Sequence, residues 1–269
     1  MISFFLRRFA APSAKIPRNH SLNSIGAIMP KIGETSVNNS FGFSKQRLSD
    51  FHASEYTLVD INVDASGTMS GFESAVEAAV QNIIESCRKS PRAGNLLIRI
   101  STFGSSIHQI HDFKLLKEIS PSEYAGAFKA GGMTCLRDAG LEMFLGIRNY
   151  AKSLRDHDYE VNAIGFIITD GEDTCSTAGP KAVADACQEL VLSEVVDSYR
   201  SIVISINNDT ARFKAAMEEF AKTCGFDQVV DAGQADPKQL AKLAEFVSQS
   251  ISSQSSALGT GAPSQPVTF

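Results

Sequence analysis

Between positions 56 and 250 the chain alternates short apolar runs with longer stretches in which apolar residues recur every three or four positions. Tyr56 to Val63 has the continuous pattern of a buried strand. Phe72, Ala75, Val76, Ala79, Val80, Ile83, Ile84 and Cys87 follow at the spacing of an amphipathic helix. Leu96 to Phe103 and Ile107 to Phe113 are two further strands, joined by Gly104-Ser105-Ser106. That connection is too short for a helical crossover and predicts an antiparallel hairpin at a sheet edge.

Leu136, Ala139, Met143, Phe144, Ile147 and Tyr150 predict a second helix, and residues 163–169 (A-I-G-F-I-I-T) a buried strand. Pro180 suits the first turn of a helix expected to run to about Val196. Ser201 to Ile206 reads as a strand. Asp209 or Thr210 can cap a helix through Cys224, with Gly225 placed for a left-handed terminus. Gln228 to Asp231 is a short strand, and Asp236-Pro237 opens the last helix.

Strands alternating with helices imply an α/β fold: a doubly wound, mostly parallel sheet with one antiparallel edge hairpin and helices on both faces. The flanks differ. Residues 1–50 carry seven Lys/Arg against two acids, lack sustained periodicity and predict an irregular basic arm. The domain is expected over 51–251. From Ser252 to Phe269 there is no charged side chain, which predicts a disordered tail.

A chain of 269 residues with 43% hydrophobic content supports one substantial core. The five cysteines form no C-x-x-C pair and leave an odd one over, which fits neither a disulfide framework nor a zinc site. That usage favours a reducing compartment, and a cytoplasmic location is expected. The N-terminus has an apolar run too short for a secretory signal, although its Ser/Arg-rich, acid-poor composition is shared by organelle transit segments. No segment approaches the roughly 18 apolar residues of a membrane span.

The candidate chemistry lies in three loops. Asp64, Ser66 and Thr68 stand at i, i+2 and i+4 where the first strand ends; Thr134 precedes the second helix; Asp170 follows the strand at 163–169. In an open parallel sheet such loops converge at the carboxyl ends of the strands, where these folds place ligands. Two acids and three hydroxyls make an oxygen-only set, which suits a hard divalent cation, Mg²⁺ or Mn²⁺, and offers soft metals little. Three neutral hydroxyls leave such an ion electron-poor, with a position for a partner's carboxylate.

Taken singly, Asp64 reads as a cap and Ser66 as a turn residue; the convergence of three segments favours the metal site. Glu172 and Asp173 read as loop acids, His108 and His111 as surface residues on the hairpin, and Cys135 as a packing residue. Asp60 and Asn62 lie inside the first strand, so hydrogen bonds to neighbouring loops are expected for them.

D-A-S-G-T (64–68), G-G-M-T-C-L-R-D-A-G-L (131–141) and F-I-I-T-D-G-E-D (166–173) together resemble the three segments of the von Willebrand factor A (vWA) domain family. Its metal-ion-dependent adhesion site is D-x-S-x-S with a distant Thr and a distant Asp. The resemblance implies direct metal contact for Ser66, Thr68 and Thr134, with Asp64 and Asp170 acting largely through water. It departs from the family at Thr68, where Ser is common. It further implies a non-enzymatic protein-protein interaction module, a regulatory or assembly adaptor, working beside an AAA+ ATPase, a kinase or a phosphatase, with no part for nucleic acid.

Two alternatives belong to other classes. D-A-S-G-T also resembles the D-x-D-G-T of haloacid-dehalogenase-like phosphohydrolases, with Asp64 as phosphoryl acceptor. The acid that would protonate the leaving group is replaced by Ser66, which cannot supply a proton at neutral pH. A metal-independent structural assembly component is the other.

Overall fold

In a computed structural model the protein is described over residues 51–207, 210–234, 236–260 and 267–269; the basic arm expected over 1–50 lies outside the described residues. The first strand, β1 (Glu55–Asp64), is buried along nearly its whole length. Val59, Ile61 and Val63 point to one face, and Tyr56, Leu58, Asp60, Asn62 and Asp64 to the other. It leads into α1 (Glu73–Arg88), whose Val76, Val80, Ile83 and Ile84 cover the first face. Burying one such isoleucine stabilises the fold by about 1.5–3 kcal/mol.

The hairpin β2 (Leu96–Phe103) and β3 (Ile107–Leu115) forms the antiparallel edge. Beyond it the chain returns through α2 (Leu136–Arg155) to β4 (Glu160–Thr169) on the opposite side of β1. The remaining elements are α3 (Pro180–Leu192), β5 (Ser198–Ser205), α4 (Ala211–Cys224), β6 (Gln228–Asp231) and α5 (Pro237–Thr260). The sheet order is β3-β2-β1-β4-β5-β6, parallel except for β2/β3. Helices α1 and α5 cover one face and α2, α3 and α4 the other. This is a doubly wound, Rossmann-like α/β architecture. The chain leaves β1 in one direction and returns to its other side at β4, so the loops after these two strands open a crevice between them.

The expected caps are present. Thr210 Oγ1 accepts from the backbone N–H of Phe213 at 3.3 Å, and Gly225 adopts φ +83. Asp236 Oδ1 accepts from the N–H groups of Lys238 and Gln239.

Four expectations need correction. Helix α3 stops at Leu192 rather than near Val196, because Glu194 takes a left-handed φ of 53 and turns the chain toward β5. His111 is buried: register shifts in the β2/β3 ladder turn it inward, where Nδ1 meets Asp112 O at 2.9 Å and Nε2 meets Tyr124 Oη at 3.0 Å. Asp60 and Asn62 bond each other and a strand, not neighbouring loops. Asn62 Nδ2 donates to Asp60 Oδ1 at 3.0 Å, and Arg99, opposite Asp60 on β2, donates to its Oδ2.

The uncharged C-terminal stretch is the fourth. Helix α5 continues to Thr260 instead of fraying at Ser252. Gln254 and Ser255 are buried there: Gln254 Nε2 donates to Ala163 O at 3.1 Å and to Ser198 Oγ at 2.8 Å, and Arg92 Nε donates to Ser255 Oγ at 2.9 Å. At Gln254 the helix face is set against the amino ends of β4 and β5. At the last residues Val267 O accepts from Gln228 Nε2 at 3.4 Å, and the Phe269 ring lies 5.6 Å from that of Phe246.

Candidate metal centre

Asp64 is the last residue of β1, and its carboxylate is buried at the crevice. Oδ1 accepts from the N–H of Ser66 at 2.7 Å, which folds the loop back on itself. Oδ2 accepts from the hydroxyl of Thr169 at 2.6 Å. The loop then forms a single 3-10 turn over Gly67–Met69, which places the exposed Thr68 hydroxyl 3.0 Å from Ser66 Oγ. Thr68 Oγ1 donates to Asp170 Oδ1 at 2.7 Å, joining residues 102 positions apart.

The second loop is threaded between its neighbours by its backbone. Gly131 N donates to Ala65 O at 2.8 Å, Gly67 N to Gly132 O at 3.1 Å, and Met133 N to Ser105 Oγ at 2.9 Å. Gly132 has φ +76, and a Cβ there would run into Ser105 Oγ, so both the conformation and the close approach favour glycine. Thr134, buried at the crevice, is fixed at both ends of its peptide: its N–H donates to Thr174 Oγ1 at 2.9 Å, and its carbonyl accepts from Thr174 N at 2.8 Å.

The space above Gly171 ties the third group to the first. A Cβ on Gly171 would lie 3.3 Å from Thr134 Oγ1 and 3.9 Å from Asp64 Oδ2. Asp64 and Thr134 thus approach each other beside Gly171, and Asp64, Ser66, Thr68 and Asp170 are linked by hydrogen bonds at the carboxyl ends of β1 and β4. Burial pushes both carboxyls above their ordinary range. For Asp64 the bonds from Thr169 and Ser66 pull the other way and the nearby Asp170 pushes further up; for Asp170 the Thr68 bond opposes burial. A divalent cation's charge would favour ionisation of both.

The donor set fits a hard divalent cation, since every inward group is oxygen and none is sulfur or imidazole. Among the described residues no group of three or more His, Cys, Asp or Glu side chains is arranged to hold a metal ion. The site rests on hydroxyls as much as on carboxylates.

Asp173 and Glu172 point elsewhere. Asp173 Oδ1 accepts from the N–H of Arg137 in the first turn of α2 at 3.1 Å and pairs with the Arg137 guanidinium. Glu172 lies 3.5 Å from Arg212. Cys135 is buried at the start of α2 and its thiol is pushed up to about 12 by burial. His108 is exposed, with Nε2 2.9 Å from Ser106 Oγ.

Thr169 was not expected among these residues. As the last residue of a buried strand it reads as ordinary core. The available signal was pairing: in a parallel sheet the ends of adjacent strands lie side by side, and Val63 opposite Ile168 brings the next residues, Asp64 and Thr169, together.

No protein-family model matches the sequence, and no curated protein sequence matches it. Solved structures do resemble it. The D319A mutant of the PilB minor pilin from Streptococcus sanguinis aligns with a TM-score of 0.55 at 12% identity, over 78% of this chain and 64% of that one. The pilus adhesin SpaC from Lactobacillus rhamnosus GG aligns with a TM-score of 0.52 at 11% identity, over 75% and 31%. The SpRpn10 VWA domain aligns at 0.46 and 13% identity, over 70% and 93%. The pilin and adhesin share the fold with this chain. The chain spans less than two thirds of either.

Proposed function

We propose that the domain is a protein-interaction module that binds Mg²⁺ or Mn²⁺ through Asp64, Ser66, Thr68, Thr134 and Asp170, and through that ion a carboxylate of a partner protein. The observation that carries the reading is the Ser66–Thr68–Asp170 chain of hydroxyl and carboxylate oxygens, 3.0 and 2.7 Å apart, which assembles two loops far apart in sequence around one point. When bound, the cation would supply a positively charged coordination position open to an external Asp or Glu.

The chain's own residues do the rest. Ser66, Thr68 and Thr134 present neutral oxygens, which leave the cation's charge largely uncompensated. Asp64 has both oxygens engaged by protein donors and so suits a role through water, and Asp170 accepts from the Thr68 hydroxyl. The carboxylate-seeking partner face is a feature of binding proteins. One solved structure of similar fold, the pilus adhesin SpaC, is in keeping with that class.

In this reading the protein is a regulatory or assembly adaptor and not an enzyme, and it acts in the cytoplasm beside a partner such as an AAA+ ATPase, kinase or phosphatase. Ser66 stands where a phosphohydrolase would need a proton donor. Affinity capture with and without Mg²⁺, comparing the chain with Thr134→Ala, tests it. Partners retained only with Mg²⁺ and lost in the variant support the module; hydrolysis of a generic phosphate ester that disappears in Asp64→Asn would replace it with the enzyme.

A further inference from the structure

Two cysteines meet beneath the second and third loops. Cys135 follows Thr134 at the start of α2, and Cys175 lies beyond Asp170 in the loop after β4. The backbone N–H of Cys135 donates to Gly104 O at 2.9 Å, and the Cys175 thiol reaches the same carbonyl at 3.8 Å. Cys175 N also donates to Thr134 O at 3.3 Å.

From these contacts we propose that Cys135 and Cys175 form a reversible disulfide that locks the second and third loops together. Standard bond lengths along the path through the 3.3 Å bond hold the two α-carbons within about 9 Å at full extension, and the path bends at the carbonyl and the amide. A disulfide spans about 4.4–6.8 Å between α-carbons, a separation this path allows. The segments are already registered by the two bonds between Thr134 and Thr174. All five cysteines are free, and Cys87, Cys135 and Cys224 are buried. Of the five, Cys135 and Cys175 share a hydrogen-bond acceptor, Gly104 O, one through its N–H and the other through its thiol.

The difference in exposure sets the order of events. Cys175 is half-buried and Cys135 only 2% exposed, so Cys175 meets the co-reactant, a low-molecular-weight disulfide. Its sulfur attacks one sulfur of that reagent, whose S–S bond breaks and releases one small thiol. The Cys135 sulfur then attacks the Cys175 sulfur of the mixed disulfide and releases the second. The two cysteines are oxidised, the reagent is reduced to two thiols, and the two protein thiol protons leave on them.

The full chain incubated with excess oxidised glutathione, alkylated and digested, should yield a cross-linked peptide joining Cys135 to Cys175, lighter by two hydrogens and reversed by dithiothreitol. The oxidised form should melt higher by roughly 5 °C or more, since the bridge closes a loop of about 40 residues. Cys135→Ser should stop at a glutathione adduct on Cys175, and Cys175→Ala should give neither product. Wild-type protein that accumulates the Cys175 adduct without closing, or that reacts at neither cysteine, would overturn the proposal. The cross-link requires no cation, so the same outcome with chelator present separates it from the fate of the metal reading.

Discussion

The hydroxyl of Thr169 donates a 2.6 Å hydrogen bond to Oδ2 of Asp64, joining the ends of β4 and β1 across 105 positions of sequence. Thr169 Oγ1 also accepts from the N–H of Gly171 at 3.1 Å, so one buried side chain orients both the Asp64 carboxylate and the turn that leads out of Asp170. Thr169→Val keeps the shape and removes the hydroxyl. It should cost about 1–3 kcal/mol, the range for leaving a buried partner unsatisfied. Thr169→Ser should recover most of that loss. Urea denaturation of the three proteins with chelator present measures it.

Divalent metal should stabilise the chain. At 100 times its dissociation constant, a ligand bound only by the native state adds about 2.7 kcal/mol. The melting temperature should rise with millimolar Mg²⁺ and fall back on chelation, and Thr134→Ala should abolish the shift while melting near wild type in chelator. An unchanged melting curve together with no calorimetric binding would remove the site assignment.

The buried pair of Arg99 and Asp60 lies under α2 on the same face as the site, with Glu142 Oε1 3.9 Å from Arg99 Nη1. Burial works against the guanidinium, but Asp60, Glu142 and Asp112 hold it above its ordinary range, so it stays charged. Arg99→Met leaves Asp60 uncompensated and should destabilise by about 3–5 kcal/mol. Arg99→Met combined with Asp60→Leu should lose much less, and a double-mutant cycle by denaturant titration reads the difference.

Burial pushes Glu142 up to about 7, with Arg99 opposing and Asp60 adding to the shift. A carboxyl raised in the folded state holds its proton there while the unfolded chain has lost it. Its contribution to stability is complete below the unfolded value near 4.5, declines as pH rises, and is lost above about 7. Asp112, pushed to about 6 mainly by burial, adds in the same direction. Stability should therefore fall between pH 5 and 8 by about 3 kcal/mol for Glu142 alone. Glu142→Gln should flatten that part of the profile, and unfolding curves across the range check it.

At Gly132 the left-handed φ and the crowding by Ser105 act together. Gly132→Ala should destabilise by about 1–3 kcal/mol and weaken Mg²⁺ binding, because Met133 and Thr134 hang from that turn. Gly94→Ala, whose added Cβ meets nothing, is the matching control.

Local pattern was enough to fix most of the elements and to single out the candidate ligands. Strand and helix periods at Tyr56–Val63 or Phe72–Cys87 record which side of each segment is buried, and hydroxyls after a strand end stand out because nothing in local packing calls for them. The short Gly104-Ser105-Ser106 connection likewise dictated an antiparallel edge. Other features depended on partners distant in sequence. Gln254 and Ser255 look like a solvated tail until the amino ends of β4 and β5 lie against them, and His111 looks exposed until a register shift turns it inward. Arg99 could be assigned to Asp60, Thr169 to Asp64 and Cys135 to Cys175 only once the strands were ordered. A sequence states what each residue can donate or accept, but a long-range pair is chosen by strand order and register, which the whole sheet settles at once.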